Sequence, residues 1–317
     1  MMALGLMAAG LIGLVLGGDL LVRGAVSAAR NLRISPLVIG LTLVGFGTST
    51  PELVTSLQAA FAGSPGIAIG NVIGSNIGNV LLILGIAALI APIAVAPAAL
   101  KRDGTVMVMA TLLCLVVVAF GEVGRVSGTL MLLCLASYLI WTLRQERRAG
   151  QTAAAAVYEG EAQLLPQADY RMLPSVLIAL AGLVITIFAA RALVSGAVIT
   201  AQAAGISETV IGLTIVAIGT SLPELVTSII AVRKGEGDVA LGNVIGSNIF
   251  NILGILGITA VVYPLAVPPE VLQLDIWVMC AATVLLIVFA RTGWRIGRRE
   301  GMVMVALYAA YLITLLV

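Results

Sequence analysis

Of the 317 residues, 61% are apolar and 10% charged, where soluble domains average about 25% charged. This excludes an ordinary soluble domain and makes the membrane span, roughly 20 apolar residues, the unit of organisation. The net charge of +2 says little by itself. The absence of His counts against a histidine proton relay.

Hydrophobic runs predict ten spans, near 3–29, 36–61, 67–91, 104–120, 126–143, 173–200, 208–232, 239–262, 273–290 and 302–316. The N-terminus is apolar from its first residue and has no basic n-region, so no cleaved signal peptide is expected. The second, third, seventh and eighth runs are broken by Gly, Pro, Ser and Asn. Cys114, Cys134 and Cys280 lie in apolar runs and read as buried hydrophobes, with neither metal spacing nor a disulfide framework. With the N-terminus outside, all Lys and Arg except Arg125 and Arg191 fall in inner loops or inner span ends. That bias predicts both termini outside and the polar stretch 144–171 as a cytoplasmic linker.

Shifted by 172 positions, the sequence overlays itself without a gap. Residues 36–86 and 208–258 share 32 identities in 51 positions, and the polar residues match best. Five spans per repeat is an odd number, so the second copy enters the membrane from the opposite side. The expected fold is an all-α integral membrane protein: ten transmembrane helices as two inverted-topology five-helix repeats, 1–143 and 172–317. In such folds substrates bind near the midplane, where Gly/Pro-interrupted helices of the two halves meet.

The interrupted segments are "GTSTPELVTS" (47–56) and "GTSLPELVTS" (219–228). Each carries one glutamate, Glu52 or Glu224, deep in an apolar run with no Lys or Arg at matching depth. A charge there costs roughly 2.5–3.5 kcal/mol on insertion scales. Either both carboxylates are protonated or a cation satisfies them. Pro51 removes a helical donor and starts a new half-helix, gathering carboxylate, hydroxyl and carbonyl oxygens at the break. The bland alternative is a proline kink packed by small polar residues. In the next span, Asn71, Ser75 and Asn79 form one stripe at i, i+4 and i+8 beside Gly70, Gly74 and Gly78. The copy gives Asn243, Ser247 and Asn251. Ser75, Asn79, Ser247 and Asn251 read as ion or water contacts, whereas Asn71, Asn76, Asn243 and Asn248 read as interhelical amide bonds. All these candidate ligands are oxygens, which disfavours zinc and copper and suits Ca²⁺ or Na⁺.

The paired G-T-S-x-P-E and G-S-N-x-x-N motifs resemble the alpha repeats of the sodium/calcium exchanger family, of prokaryotic type, within the cation/calcium antiporter superfamily. The resemblance covers most of both halves. It implies alternating access, with the first helix of each half sliding over a more static core, and Ca²⁺ moved against Na⁺. By motif position, Glu52 and Glu224 would be ligands shared by Ca²⁺ and Na⁺, and Thr48 and Thr220 would offer carbonyls to Ca²⁺. Ser49, Ser221, Ser75 and Ser247, with the carbonyls of Gly45 and Ala217, would serve flanking Na⁺ sites. Asn79 and Asn251 would line the centre. Some relatives, the potassium-dependent branch among them, carry Asp where this chain has Asn251. The central acid count therefore stays at two, and potassium co-transport is not expected.

The expected function is electrogenic Na⁺/Ca²⁺ exchange. Proton/calcium exchange is the alternative, and acid pH is expected to inhibit by protonating the two glutamates. A channel or passive calcium-binding protein is a further reading, disfavoured by the inverted repeat. No G-x-x-x-x-G-K-[ST] sequence is present, so neither an ATP-driven pump nor another enzyme is expected. No cofactor is expected, with Ca²⁺ and Na⁺ as substrates. The partner is the bilayer, in a prokaryotic inner membrane, with neither nucleic acid nor an obligate protein partner. Asp19 and Arg191 occupy equivalent repeat positions, but inversion separates them. Asp19 with Arg23 is the local pairing expected instead.

Overall fold

A computed structural model describes residues 2–32, 34–149, 170–204 and 217–316. Among the described residues, seven helices are long and apolar enough to cross a membrane: Met2–Leu32, Pro65–Ile90, Pro97–Ala119, Arg125–Gln145, Met172–Thr200, Gly237–Val262 and Val271–Arg291. The pair Leu37–Thr48 and Thr50–Phe61, bent by 41°, makes an eighth if taken as one span. The protein is thus an all-helical, multi-pass membrane protein. Of the other two runs expected, 208–232 lies outside the described residues up to position 216 and is helical beyond it. The last is the helix Arg298–Leu316, which begins with Arg298, Arg299 and Glu300. Most of the 144–171 linker, 150–169, lies outside the described residues.

Both repeated phrases break their helices at the same place. Ser49 (φ −81°, ψ 9°) closes Gly45–Thr48, and Thr50–Phe61 follows with Pro51 in its first turn. Ser221 (φ −90°, ψ 9°) closes Ala217–Thr220, and Leu222–Arg233 follows with Pro223. Proline is tolerated at a first turn, where its missing N–H would have no helical acceptor, and nowhere deeper.

The helices Pro65–Ile90 and Gly237–Val262 are the most enclosed, with 72% and 83% of their apolar windows buried, against 33% for Met2–Leu32 and Met172–Thr200. The first pair forms the centre and the second lies at the periphery. The two peripheral helices run antiparallel against each other along their length. Glycines at seven-residue spacing make the contact: Gly10 lies against Leu193, Gly17 against Thr186 and Gly24 against Ala179. A Cβ at Gly17 would stand 2.6 Å from Thr186 Oγ1 and 2.7 Å from Thr186 N, so only glycine permits this approach. The outward side of the first helix exposes Leu11, Ile12, Val15 and Leu16, a face suited to lipid.

Among the described residues, four two-residue strands tie the loops, and no periodicity announced them. Strand β1 (Ile93–Ala94) pairs antiparallel with β4 (Arg295–Ile296), with Ile93 opposite Ile296. Strand β2 (Glu122–Val123) pairs with β3 (Leu265–Ala266), with Val123 opposite Leu265. The 172-residue shift carries β1 onto β3, yet β1 pairs with neither β3 nor β2. The span Pro97–Ala119 separates β1 from β2.

Candidate cation site

Glu52 and Glu224 each lie in the first turn after a break, and each is 1% exposed. Their contacts are reciprocal. Ser49 Oγ donates to Glu224 Oε1 at 2.9 Å, and Ser221 Oγ donates to Glu52 Oε1 at 3.2 Å. Each broken helix therefore braces the carboxylate of the other. The second oxygens, Glu52 Oε2 and Glu224 Oε2, are buried without a hydrogen-bond partner. The ion pairs Arg23–Asp19, Lys234–Asp19 and Arg102–Asp103 lie elsewhere. A buried carboxylate oxygen without donor or counter-charge is strongly unfavourable, and a bound cation removes that penalty.

The adjacent enclosed helices fasten these breaks. Asn71 Nδ2 donates to the Glu52 carbonyl at 3.1 Å and to Ser56 Oγ at 2.9 Å. Asn243 Nδ2 donates to the Glu224 carbonyl at 3.2 Å and to Ser228 Oγ at 2.9 Å. The interhelical role expected for Asn71 and Asn243 is what the structure gives, whereas Asn76 Nδ2 donates within its own helix, to Val72 O at 2.7 Å. Ser56 and Ser228 were not singled out from sequence. Their signal was available, because each is the last residue of the repeated phrase.

Asn79 and Asn251, each 1% exposed, lie at π-helical turns, Asn79–Leu84 and Phe250–Leu256. Such turns are rare and concentrate at functional sites. Asn79 Oδ1 and both amide atoms of Asn251 are buried without partners. Asn79 Nδ2 reaches Asn248 Oδ1 only at 3.5 Å. These amides can turn an oxygen toward a cation without breaking a strong bond.

Thr48, fully buried, donates its hydroxyl to its own helix, 3.0 Å from Val44 O, and lies 3.2 Å from Asn243 Oδ1. Ser247 Oγ donates to the Gly45 carbonyl at 3.1 Å, which brings those two predicted residues together. Ser75 is 9% exposed on the Pro65–Ile90 helix, and Ala217 opens the helix Ala217–Thr220. Thr220 and Ser221 are half-buried, whereas their counterparts Thr48 and Ser49 are fully enclosed. Phe46 and Phe250 stack at 4.4 Å beside Gly47 and Asn251, a contact without repeat counterpart because Ile218 and Gly78 hold the equivalent positions.

Oxygen ligands buried where two interrupted helices meet, inside a multi-pass membrane protein, are the features of a membrane cation transporter. The sequence model of the family described as "Sodium/calcium exchanger protein" matches residues 2–144 and 174–317. CaxA of Alkalimonas amylolytica is 41% identical over 95% of each chain. Sodium/calcium exchanger MaX1 of Methanosarcina acetivorans is 37% identical over 96% of each. The solved structure of the sodium-calcium exchanger NCX_Mj, soaked with 10 mM Na⁺ and zero Ca²⁺, superposes with a TM-score of 0.85 at 33% identity and covers 99% of both chains. The chain belongs to the sodium/calcium exchanger family, whose members are transporters.

Proposed function

We propose that this protein is a secondary antiporter that exchanges Na⁺ for Ca²⁺ by alternating access. The observation that carries the reading is the reciprocal pair of buried glutamates, each braced by the other repeat's serine and each left with one unpartnered oxygen. Two carboxylates balance one Ca²⁺, and the amides, hydroxyls and carbonyls around them complete an oxygen shell. Glu52 and Glu224 are the shared ligands. Thr48 and Thr220 supply carbonyls to Ca²⁺. Ser49, Ser221, Ser75 and Ser247 serve Na⁺ together with the carbonyls of Gly45 and Ala217, and Asn79 and Asn251 line the centre. More than two Na⁺ against two carboxylates would move net charge in each cycle, so exchange is electrogenic. The names of MaX1 and NCX_Mj support the choice of ions.

The architecture that goes with this reading is ten spans in two inverted repeats, 1–143 and 172–317. The strand pairing supports it. A single span between β1 and β2 sets them on opposite faces, and β3, the repeat mate of β1, pairs with β2. Repeat mates on opposite faces are the mark of inversion. Both termini then lie outside and 144–171 in the cytoplasm of a prokaryotic inner membrane, as the Lys and Arg distribution favours.

The deciding experiment is calcium uptake into liposomes loaded with Na⁺ and diluted into Na⁺-free buffer at clamped pH. Uptake that needs internal Na⁺ and disappears in Glu224→Gln supports the reading. Uptake driven by a proton gradient without Na⁺ would replace it with proton/calcium exchange.

A further inference from the structure

Away from the cation site, a cavity of about 580 Å³ opens where the helix Pro97–Ala119 begins and the helix Val271–Arg291 ends. Its wall is apolar, formed by Val108, Met109 and Ile287, and its rim carries two cations, Lys101 and Arg291. Both cations are exposed, and among the described residues neither side chain has a hydrogen-bond or ion-pair partner. The nearby acid is not available to them: Asp103 is fully buried, held by Arg102 at 2.8 Å and by the Tyr138 hydroxyl at 2.9 Å.

Trp294 completes the rim. It is the one non-glycine with positive φ among the described residues, at 54°, a conformation unfavourable for so bulky a side chain. Its carbonyl accepts from Val95 N at 2.9 Å, which anchors the turn to the β1–β4 ladder. The turn leaves the indole 43% exposed, and exposed tryptophans of membrane proteins concentrate at the interface.

The internal repeat supplies a control. Shifted by 172, Lys101, Arg291 and Trp294 correspond to Gln273, Ala119 and Glu122. Packing demands should recur in both halves, but the two cations do not, although an exposed indole, Trp277, stands at the place equivalent to Thr105. The equivalent place in the other half is neutral or acidic.

We propose that this groove is a binding site for an anionic phospholipid. The phosphate sits between Lys101 and Arg291, an acyl chain lies along Val108, Met109 and Ile287, and Trp294 packs at the headgroup boundary. Apolar wall, paired free cations and interfacial indole are the three features such a lipid requires, and no small soluble anion requires the apolar wall. The site is selective for one leaflet, because the repeat-related place lacks its charges.

The test uses the full chain with Trp141→Phe and Trp277→Phe, so that Trp294 alone fluoresces, reconstituted with lipids brominated on their acyl chains. Brominated phosphatidylglycerol is expected to quench at a mole fraction at least about tenfold lower than brominated phosphatidylcholine. Lys101→Gln with Arg291→Gln should abolish that preference, while Arg299→Gln keeps it. Equal quenching by both lipids in the chain with its cations intact overturns the proposal, and that comparison needs no cation variant to fold. Loss of preference in Arg299→Gln equal to that in the double variant also overturns it, because surface potential would then suffice.

Discussion

Ser49 donates to Glu224 and, 172 residues on, Ser221 donates to Glu52, so the two carboxylates are held by a crossed pair of hydroxyls. Neither half of the chain can complete its own site. A hydrogen bond to a charged group contributes about 1.5–3 kcal/mol, or roughly ten- to a hundredfold in an equilibrium constant. Ser49→Ala should therefore weaken calcium-dependent uptake through half-saturation by about tenfold, with maximal rate largely kept. Glu224→Gln should remove uptake altogether. Uptake kinetics in liposomes check both. A Ser49→Ala protein with unchanged half-saturation would mean that the hydroxyl braces nothing that binds the ion.

Asn243 joins two elements at once, through the Glu224 carbonyl and Ser228 Oγ. It is fully buried. Asn243→Ala strips donors from both acceptors, at about 1–3 kcal/mol for each buried group left unsatisfied. The expected result is a lowered melting temperature in detergent, with uptake reduced more than Asn71→Ala reduces it, because Asn71 is only half-buried. Equal effects of the two variants would count against a stabilising role set by burial.

The glycine seam between the peripheral helices gives a third expectation. At Gly17 an added Cβ meets backbone, Thr186 N at 2.7 Å, so a neighbouring rotamer change cannot relieve the clash. Gly17→Val should lower stability by about 1–3 kcal/mol, the usual cost of overpacking. Gly5, with nothing within 4 Å, is the matched control: Gly5→Val should leave the melting temperature almost unmoved. If the two helices slide together over the core, Gly17→Val should also slow uptake beyond its effect on stability.

Much of the site was legible because proline, glycine and an unpaired acid are rare inside apolar runs, and finding them twice at one spacing is rarer still. The breaks at Ser49 and Ser221 and the burial of both glutamates follow that pattern. What stayed hidden has physical reasons. The turns at Asn79 and Asn251 widen to π-helix, and an apolar run reads the same at either pitch. Tyr138 and Tyr311 bond Asp103 and Asp275, each at 2.9 Å, but the acids are 172 apart and the tyrosines 173. That one-residue slip concealed the match. The strands are two residues long, too short for any period. The count of spans differs as well: among the described residues seven helices, or eight with the bent pair, are long and apolar enough, against ten expected. Charges in the first turn of Arg298–Leu316 and residues 208–216 outside the described chain account for the places where the two differ.

Asp19 gives another measure of what spacing can and cannot reveal. Its bond to Arg23, 2.7 Å, follows from i, i+4 spacing on one helix. Its bond to Lys234, 2.5 Å, joins the first peripheral helix to the residue just past Leu222–Arg233, and no local pattern announces it. Both partners are partly exposed, at 33% and 28%, so the pair should contribute no more than about 1 kcal/mol. Its consequence should instead be kinetic. The pair ties a peripheral helix to one of the broken helices that hold the glutamates, and the second repeat has no equivalent, since Arg191 and Ala62 occupy the matching positions. Asp19→Asn and Lys234→Gln should each change the rate of exchange severalfold while moving the melting temperature little. The double variant should match Asp19→Asn, which already removes the bond to Lys234 together with the bond to Arg23. Additive effects would place the two residues in separate roles. Raising ionic strength should move the wild-type rate toward that of the variants, as expected for a screened surface pair, and should leave the double variant unaffected.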